Sequence, residues 1–175
     1  MEVWDVYDIR RNKTDRVMIR GEEVSEGDYH LVVHVCIFNK EGKMLIQHRH
    51  ENKKRWPDKW DLTVGGGAIQ GETSQEAAKR ELEEELGIEL DFENIRPHFT
   101  VNFKNGFDDI YLIEKEIDIG NLRFQKEEVK AARWASRDEI LKMIENGKFI
   151  PYYHSFIHMV FDMRKKYGFI EQKSL

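Results

Sequence analysis

The run GGGAIQGETSQEAAKRELEEELGI, from Gly65 to Ile88, constrains this chain more than any other segment. Three glycines come first, where the backbone can turn sharply or approach another group closely. Thr73 and Glu76 then form a capping-box pattern, which predicts a helix beginning near Ser74. Gly87 is a typical C′ residue, so the helix should end just before it. The sequence therefore predicts a loop, a helix and a second loop in close succession.

The predicted helix carries Glu81, Glu84 and Glu85 on one face. Like charges three and four residues apart repel one another, and Arg80 can pair with Glu84 but does not balance all three charges. A solvated charged face is the simplest interpretation of such a run. A divalent cation is the alternative, because magnesium prefers carboxylate oxygens together with water and substrate phosphates. The position after a strand and a glycine turn favours this phosphate-handling metal site.

The other elements follow from alternation, turn residues and caps. Strands are expected at 3–8, 16–20, 30–38, 44–49, 60–64, 97–103, 109–116 and 129–135, and helices at 137–146 and 151–167. The turn NKEGK should join the third and fourth strands as a hairpin. Strands and helices that do not alternate regularly argue for an α+β fold or a mixed α/β/α sandwich.

Composition narrows the class of protein. The 175 residues suit one domain, and the net charge of −5 weighs against a general nucleic-acid or membrane-surface binder. Cys36 is alone, which excludes an intrachain disulfide and a cysteine-based zinc cluster, and its apolar neighbours predict a core residue. The chain starts without the apolar segment of a signal peptide, and its apolar runs are too short to span a bilayer, so we expect a cytoplasmic protein.

The long run also carries a family resemblance. Its spacing resembles the complete Nudix box, with matches at Gly66, Glu72, Arg80-Glu81-Leu82, Glu84-Glu85 and Gly87-Ile88. In order of strands and turns, the resemblance extends from about His30 to Trp134. It implies an α+β fold, the Nudix α/β/α sandwich with a mixed sheet and the loop–helix–loop. One Nudix domain is then expected over 1–175, with an N-terminal β extension (1–28), a core (30–135) and C-terminal helices (137–167).

The resemblance implies a hydrolase that cleaves a nucleoside diphosphate linked to another group, X, and uses Mg²⁺ or Mn²⁺. It implies that the metal ligands are Glu81, Glu84 and Glu85, joined by the carbonyl of Gly65. Arg80 would orient the neighbouring glutamate and pair with Glu72, which would tie the loop to the helix. Structural roles in the motif are implied for Gly66, Glu72 and Gly87.

The base that deprotonates water varies in this family and often lies outside the box. Glu127 and Glu128, just before the strand VKAARW, are the best candidates here. Asp108 and Asp109 come second, and Glu81 is a further choice; a structural role for any of these acids is an equal alternative. Phe103 and Phe107, beside the turn KNGF, are candidates for contact with the substrate.

The segment from His30 to Glu72 also resembles isopentenyl-diphosphate isomerase, through the hairpin, Arg49, Lys53 and Trp56-Pro57. The cysteine and histidine that this isomerase uses are replaced here by Gly65 and Gly67, and the box keeps every glutamate. The resemblance therefore favours a hydrolase of the isomerase-like branch. An isomerase and a non-catalytic nucleotide sensor remain as alternatives.

The partner of such a hydrolase would be a small nucleotide diphosphate, with Arg49 and Lys53 either holding its phosphates or serving as ordinary surface cations. The N-terminal strands are expected either to widen the sheet, to cover the site or to build a dimer. The resemblance makes a homodimer one of these alternatives, because many members of the family dimerise.

Overall fold

The computed structural model describes residues 2–168 and 170. Within this part of the chain there are nine strands and three α-helices. The strands are β1 (Val3–Tyr7), β2 (Lys13–Ile19), β3 (His30–Phe38), β4 (Met44–Arg49), β5 (Trp60–Asp61), β6 (Val64–Gly67), β7 (Phe99–Phe103), β8 (Gly106–Glu114) and β9 (Val129–Ala135). The helices are α1 (Ser74–Leu86), α2 (Arg137–Glu145) and α3 (His154–Met163).

Seven strands form one mixed sheet in the order β5-β4-β3-β8-β7, with β6 also paired to β3 and β9 to β4. β3 and β8 run parallel from the pair His30–Gly106 to the pair Phe38–Glu114. The other pairings within this sheet are antiparallel. The mixed sheet expected from the sequence is confirmed.

Helices cover both faces of the sheet, which confirms the α/β/α sandwich. On one face, Leu82 and Leu86 of α1 pack against Val33, Val35 and Ile37 of β3. On the other face, α2 and α3 cover a second core cluster that includes Cys36. The Cys36 thiol is fully buried, as expected for a core residue, and burial raises its pKa. Successive side chains of β3 therefore belong alternately to the two core clusters.

The strand expected at 60–64 is in fact two strands, and this divides the sheet. β5 runs along β4, and the chain then turns at Leu62 and Thr63 and returns along β3 as β6. The buried Thr63 hydroxyl holds the turn, because it donates to the Leu45 carbonyl and accepts from the Ile37 amide at 2.9 Å. We call the separation between the two strands the β5–β6 split.

Because of this split, the predicted hairpin of the third and fourth strands is only partly formed. β3 and β4 pair only at Phe38 and Met44, next to the turn. Beyond that pair β3 is bonded to β6, and β4 to β5 and β9, so the two strands diverge. The last helix is also shorter than the expected 151–167. It begins at His154, after Pro151, and ends at Met163.

The N-terminal strands β1 and β2 form a separate two-stranded sheet, so they do not widen the main one. Instead they lie over the loop that follows β6. The carbonyl of Val3 accepts from the amide of Gln70 at 2.8 Å, and Asp5 accepts from the amide of Gly71 at 2.8 Å. The hairpin therefore braces the entry to α1. Among the described residues, the helices are all too short or too polar to cross a membrane.

Candidate active site

The three glycines leave space for three side chains from different parts of the chain. A Cβ atom at Gly65 would lie 2.5 Å from Nε2 of His34. One at Gly66 would lie 2.6 Å from Oε2 of Glu81, and one at Gly67 would lie 2.8 Å from the Trp4 indole. Real Cβ atoms do not approach other atoms so closely, so close packing rather than flexibility requires glycine here. Because side chains alternate along a strand, His34 and Glu81 lie on opposite faces of β6.

Arg80, on α1, bonds to the loop that precedes the helix. Its guanidinium donates to both carboxylate oxygens of Glu72, at 2.7 and 3.0 Å, and to the Gly67 carbonyl at 3.0 Å. Glu72 also accepts from the Ile69 amide at 2.9 Å. A bidentate pair of this kind fixes direction as well as distance. Glu72 is thus placed for a structural role.

The same guanidinium reaches two of the clustered glutamates. Its Nη1 donates to Glu81 at 2.8 Å and to Glu84 at 3.1 Å. The Glu84 side chain is 51% exposed, whereas Glu81 is largely enclosed. Burial raises the pKa of Glu81 even though Arg80 opposes the shift. Arg80 therefore orients the carboxylates of Glu81 and Glu84, but its single positive charge does not neutralise the cluster of three glutamates.

Glu85 is the most buried of the three, with 4% of its surface exposed. Its carboxylate accepts from the side-chain amide of Gln47 in β4 at 2.7 Å. Burial, with the Glu81 charge adding to it, raises the pKa of Glu85 to about 7. A carboxylate in such a place is costly when ionised, and a nearby cation offsets that cost.

The donor set fits a hard divalent cation. Carboxylate oxygens of Glu81, Glu84 and Glu85, with the carbonyl of Gly65, are the ligand types that magnesium prefers. Bound there, the ion would supply charge neutralisation for a diphosphate and a more acidic water. In the described part of the chain, no three acidic, histidine or cysteine side chains are already arranged to hold an ion. Glu81 and Glu84 instead share Arg80.

The predicted phosphate-binding cations both have carboxylate partners. Arg49 lies 3.1 Å from Asp61 and donates to the carbonyls of Arg55 and Trp56, which holds the loop after β4. Lys53 forms an ion pair with Glu128. Burial, with the Arg49 charge adding to it, lowers the pKa of Lys53. Both cations are mostly enclosed, so neither is an ordinary surface cation.

The candidate bases fall into different environments. Glu128 is paired with Lys53, and its neighbour Glu127 is exposed. Asp109 is buried and accepts from Arg11 of the N-terminal hairpin and from Thr100. Asp109 is thus held by the hairpin contact. Asp108, on the other face of β8, contacts His34.

The two candidate aromatics differ in exposure. Phe107 is 7% exposed and packs against Tyr7 and Tyr29, so it belongs to the core on the α1 side. Phe103 is 39% exposed and meets the His30 ring edge to face at 5.3 Å. Phe103 is therefore the more accessible of the two to a ligand.

Local sequence patterns do not predict a partner for His34, but the structure shows one. Its Nδ1 lies 2.9 Å from the Asp108 carboxylate. Tyr152 stands nearby, and its hydroxyl donates to Asp61 at 2.8 Å. Parallel pairing of β3 with β8 brings His34 and Asp108 together. Strand alternation alone does not reveal that pairing, although a histidine amid apolar strand residues was a signal.

Comparison with known proteins identifies the family of this chain. The family model for the NUDIX domain matches residues 28–153. An uncharacterized Nudix hydrolase of Listeria monocytogenes is 44% identical over 164 residues, covering 94% of this chain and 96% of the relative. An isopentenyl-diphosphate Delta-isomerase of Salmonella arizonae is 32% identical over 123 residues, covering 66% of each chain. The expected likeness to the isomerase-like branch is confirmed.

A solved structure supports the fold. A crystal structure of a protein from Deinococcus radiodurans superposes with a TM-score of 0.73 at 23% sequence identity. The alignment covers 91% of this chain and 97% of the Deinococcus chain. Taken with the family model and the relatives, the chain belongs to the NUDIX family and is a hydrolase that acts on pyrophosphate bonds.

Proposed function

We propose that this hydrolase depends on Mg²⁺ or Mn²⁺ and cleaves the diphosphate of a nucleoside diphosphate linked to X. The buried Glu85 carboxylate carries the proposal. Its pKa is raised to about 7 by burial and by Glu81, and a divalent cation would offset that cost. A diphosphate brings further negative charge, which also requires a metal or other cations.

We assign roles within this proposal to the residues around the turn. Metal ligation falls to Glu81, Glu84 and Glu85 with the Gly65 carbonyl, and Arg80 orients Glu81. Glu127 and Glu128 are the first choices for the base, and we prefer Glu128 because its partner Lys53 lies within electrostatic range of Glu81 and Glu85; Asp108 and Asp109 come second. We assign contact with the substrate phosphates to Arg49 and Lys53, which would exchange their carboxylate partners for phosphate, and contact with X or the nucleobase to Phe103.

The experiment is phosphate or nucleotide release from a panel of nucleoside diphosphate and triphosphate compounds, with magnesium and then with EDTA. Magnesium-dependent cleavage supports the proposal and identifies X. Isopentenyl diphosphate belongs in the panel, because its isomerisation without hydrolysis would favour the isomerase. Tight nucleotide binding without turnover would favour a sensor.

Arg49→Ala tests the phosphate contact directly. We expect a higher KM, and an unchanged KM would give Arg49 the loop-holding role alone. Since Arg49 also binds two loop carbonyls, thermal unfolding must be measured beside KM.

A further inference from the structure

Lys130 is the extra residue of a β-bulge near the start of β9. From Met44–Ala135 to His48–Ala131, β4 and β9 pair in a regular ladder, but Arg49 then pairs with Val129, so Lys130 has no partner in β4. A ladder without the bulge would set Lys130 opposite Arg49, and like charges in that position repel each other. Bulges are common beside active sites, where they redirect a side chain. This bulge separates two cations and leaves Lys130 able to bind elsewhere.

Lys130 binds both ends of the loop that follows β4, residues 50–59, which we call the cation loop. The sequence of this loop, HENKKRWPDK, has three adjacent cations at its centre, and its only carboxylates are Glu51 and Asp58 near its two ends. The Lys130 ammonium lies 2.7 Å from the Glu51 carboxylate and 2.8 Å from the Asp58 carboxylate. One cation on β9 therefore closes the loop.

The backbone of the cation loop depends on such contacts. Trp56 and Asp58 have positive φ angles, of 50° and 56°, which side chains other than glycine rarely adopt. Arg49 donates to the Trp56 carbonyl, and Lys130 and His48 both contact the Asp58 carboxylate. Backbone strain of this kind persists only where surrounding contacts hold it, and it is concentrated at functional sites. Removal of the Lys130 contacts should therefore allow the loop to open.

The cation loop also holds Lys53 next to the glutamate helix. Lys53 forms its ion pair with Glu128, which directly precedes β9, and the His50 amide donates to the Glu128 carbonyl at 2.8 Å. The same segment is bonded to α1, because the Gln125 amide donates to the Glu85 carbonyl at 3.1 Å. Contacts thus run from the helix through the segment before β9 to Lys53.

We propose that Lys130 is a positioning residue for phosphate binding, because it closes the cation loop and so holds Lys53 where the substrate phosphates bind. The inference rests on the proposed function, which assigns Lys53 to those phosphates. Lys130 acts through the loop and not on the substrate. Because only the closed loop binds phosphate, a smaller closed population raises KM in proportion.

Lys130→Met removes the charge and keeps most of the side-chain length. We expect KM to rise about fivefold, with kcat within about twofold of wild type, because bound substrate holds the loop closed. Lys130→Arg keeps the charge and should keep KM within about twofold of wild type. Lys115→Met is the control, because Lys115 is exposed and forms no ion pair in the described part of the chain. An unchanged KM in Lys130→Met overturns the proposal.

The double variant Glu51→Gln/Asp58→Asn separates loop closure from a general effect of charge. It makes the loop more positive, whereas Lys130→Met makes the region less positive, yet both remove the same two ion pairs. We expect KM to rise in both, and no further in the triple variant. A KM that falls in the double variant, or effects that multiply in the triple variant, overturn the proposal.

Limited digestion with trypsin measures loop opening without any substrate. The cation loop contains Lys53, Lys54 and Arg55, so trypsin cuts there when the loop opens, and mass spectrometry identifies the fragments. We expect cleavage in this loop to be about fivefold faster in Lys130→Met than in wild type. Equal rates in the loop, or an acceleration spread evenly over the whole chain, overturn the proposal.

Inorganic pyrophosphate distinguishes a failure of this proposal from a failure of the proposed function. A wild-type protein that cleaves nothing in the nucleotide panel contradicts the proposed function. Calorimetry with pyrophosphate and magnesium then tests the loop, and we expect the Kd of Lys130→Met to be about fivefold higher than that of wild type. Equal Kd values, or no binding by the wild type, overturn the proposal.

Discussion

A Cβ atom at position 65 would lie 2.5 Å from Nε2 of His34, so the imidazole of β3 fills the place of a side chain in β6. Glycine at this position is required by a neighbour and not by an unusual backbone angle, because the φ of Gly65 is not positive. The fit couples the candidate metal-ligand carbonyl to the His34–Asp108 pair.

Gly65→Ala should destabilise the protein by about 1–3 kcal/mol, because the new methyl group overpacks a filled space. Equilibrium unfolding in urea measures the change. His34→Ala should relieve it, so the double variant will be more stable than the two single changes predict. Additive effects would contradict the contact. Gly120→Ala is the control, since its Cβ would meet only the Asp118 carboxylate at 3.3 Å.

Glu84→Gln and Glu85→Gln should each abolish most turnover while the fold remains, because both remove charge from the site without removing volume. Initial rates at saturating magnesium, with circular dichroism spectra, measure the two effects. Glu83→Gln is the matched control on the same helix, where the side chain is exposed and 3.8 Å from Lys79. Rates near wild type in both site variants would end the metal assignment.

Without metal, stability should fall as pH rises from about 4.5 to about 7. The folded pKa of Glu85 is raised to about 7 from 4.5, so the folded state holds this proton more tightly than the unfolded chain. Its contribution is complete below pH 4.5 and is lost through pH 7, a loss on the order of 3 kcal/mol. Urea unfolding in EDTA between pH 5 and 8 measures it, and Glu85→Gln should flatten the dependence.

Magnesium should reverse that loss. At a concentration of about 100 times its Kd, a ligand that binds only the folded state adds about 2.7 kcal/mol. We expect this gain for the wild type at pH 7.5 and a much smaller one for Glu85→Gln. Equal gains would place the ion elsewhere.

Arg11→Ala should loosen the N-terminal hairpin. Asp109 is buried, and Arg11 is its cationic partner, so removal leaves a carboxylate held by Thr100 alone. Arg11 is itself 36% exposed, and we expect a cost of about 1–3 kcal/mol in unfolding free energy after allowing for solvent screening. Arg10→Ala is the control, because its neighbour Asp8 contacts only its backbone amide. Equal losses of unfolding free energy in Arg11→Ala and Arg10→Ala would contradict a stabilising ion pair between Arg11 and Asp109.

Local signals in the sequence predicted local structure well. The capping box of Thr73 and Glu76 placed the start of α1, and both reciprocal hydrogen bonds of the box are present. Gly87 ends the helix in the left-handed conformation, with φ at 68°. The strands at 30–38, 44–49 and 129–135 have the expected bounds for the same reason, since alternation and turn residues act over short distances.

Long-range pairing was beyond such signals. The turn at Leu62 and Thr63 carries no glycine or proline, and a buried threonine hydroxyl holds it from strands distant in sequence. The ion pair of Lys53 with Glu128 likewise joins segments that meet only in the folded sheet. Apolar pattern predicts that a strand is buried, but it does not specify its neighbour.

The glycine run has an evolutionary consequence. Gly65, Gly66 and Gly67 each accommodate a side chain from a separate part of the chain, namely a strand, the helix and the N-terminal hairpin. A descendant that acquires a side chain at position 67 must first shrink or withdraw Trp4, and one that acquires a side chain at position 65 must replace His34. Each of the three glycine positions should therefore covary with the distant residue that packs against it. A new side chain at this turn requires a second, compensating substitution.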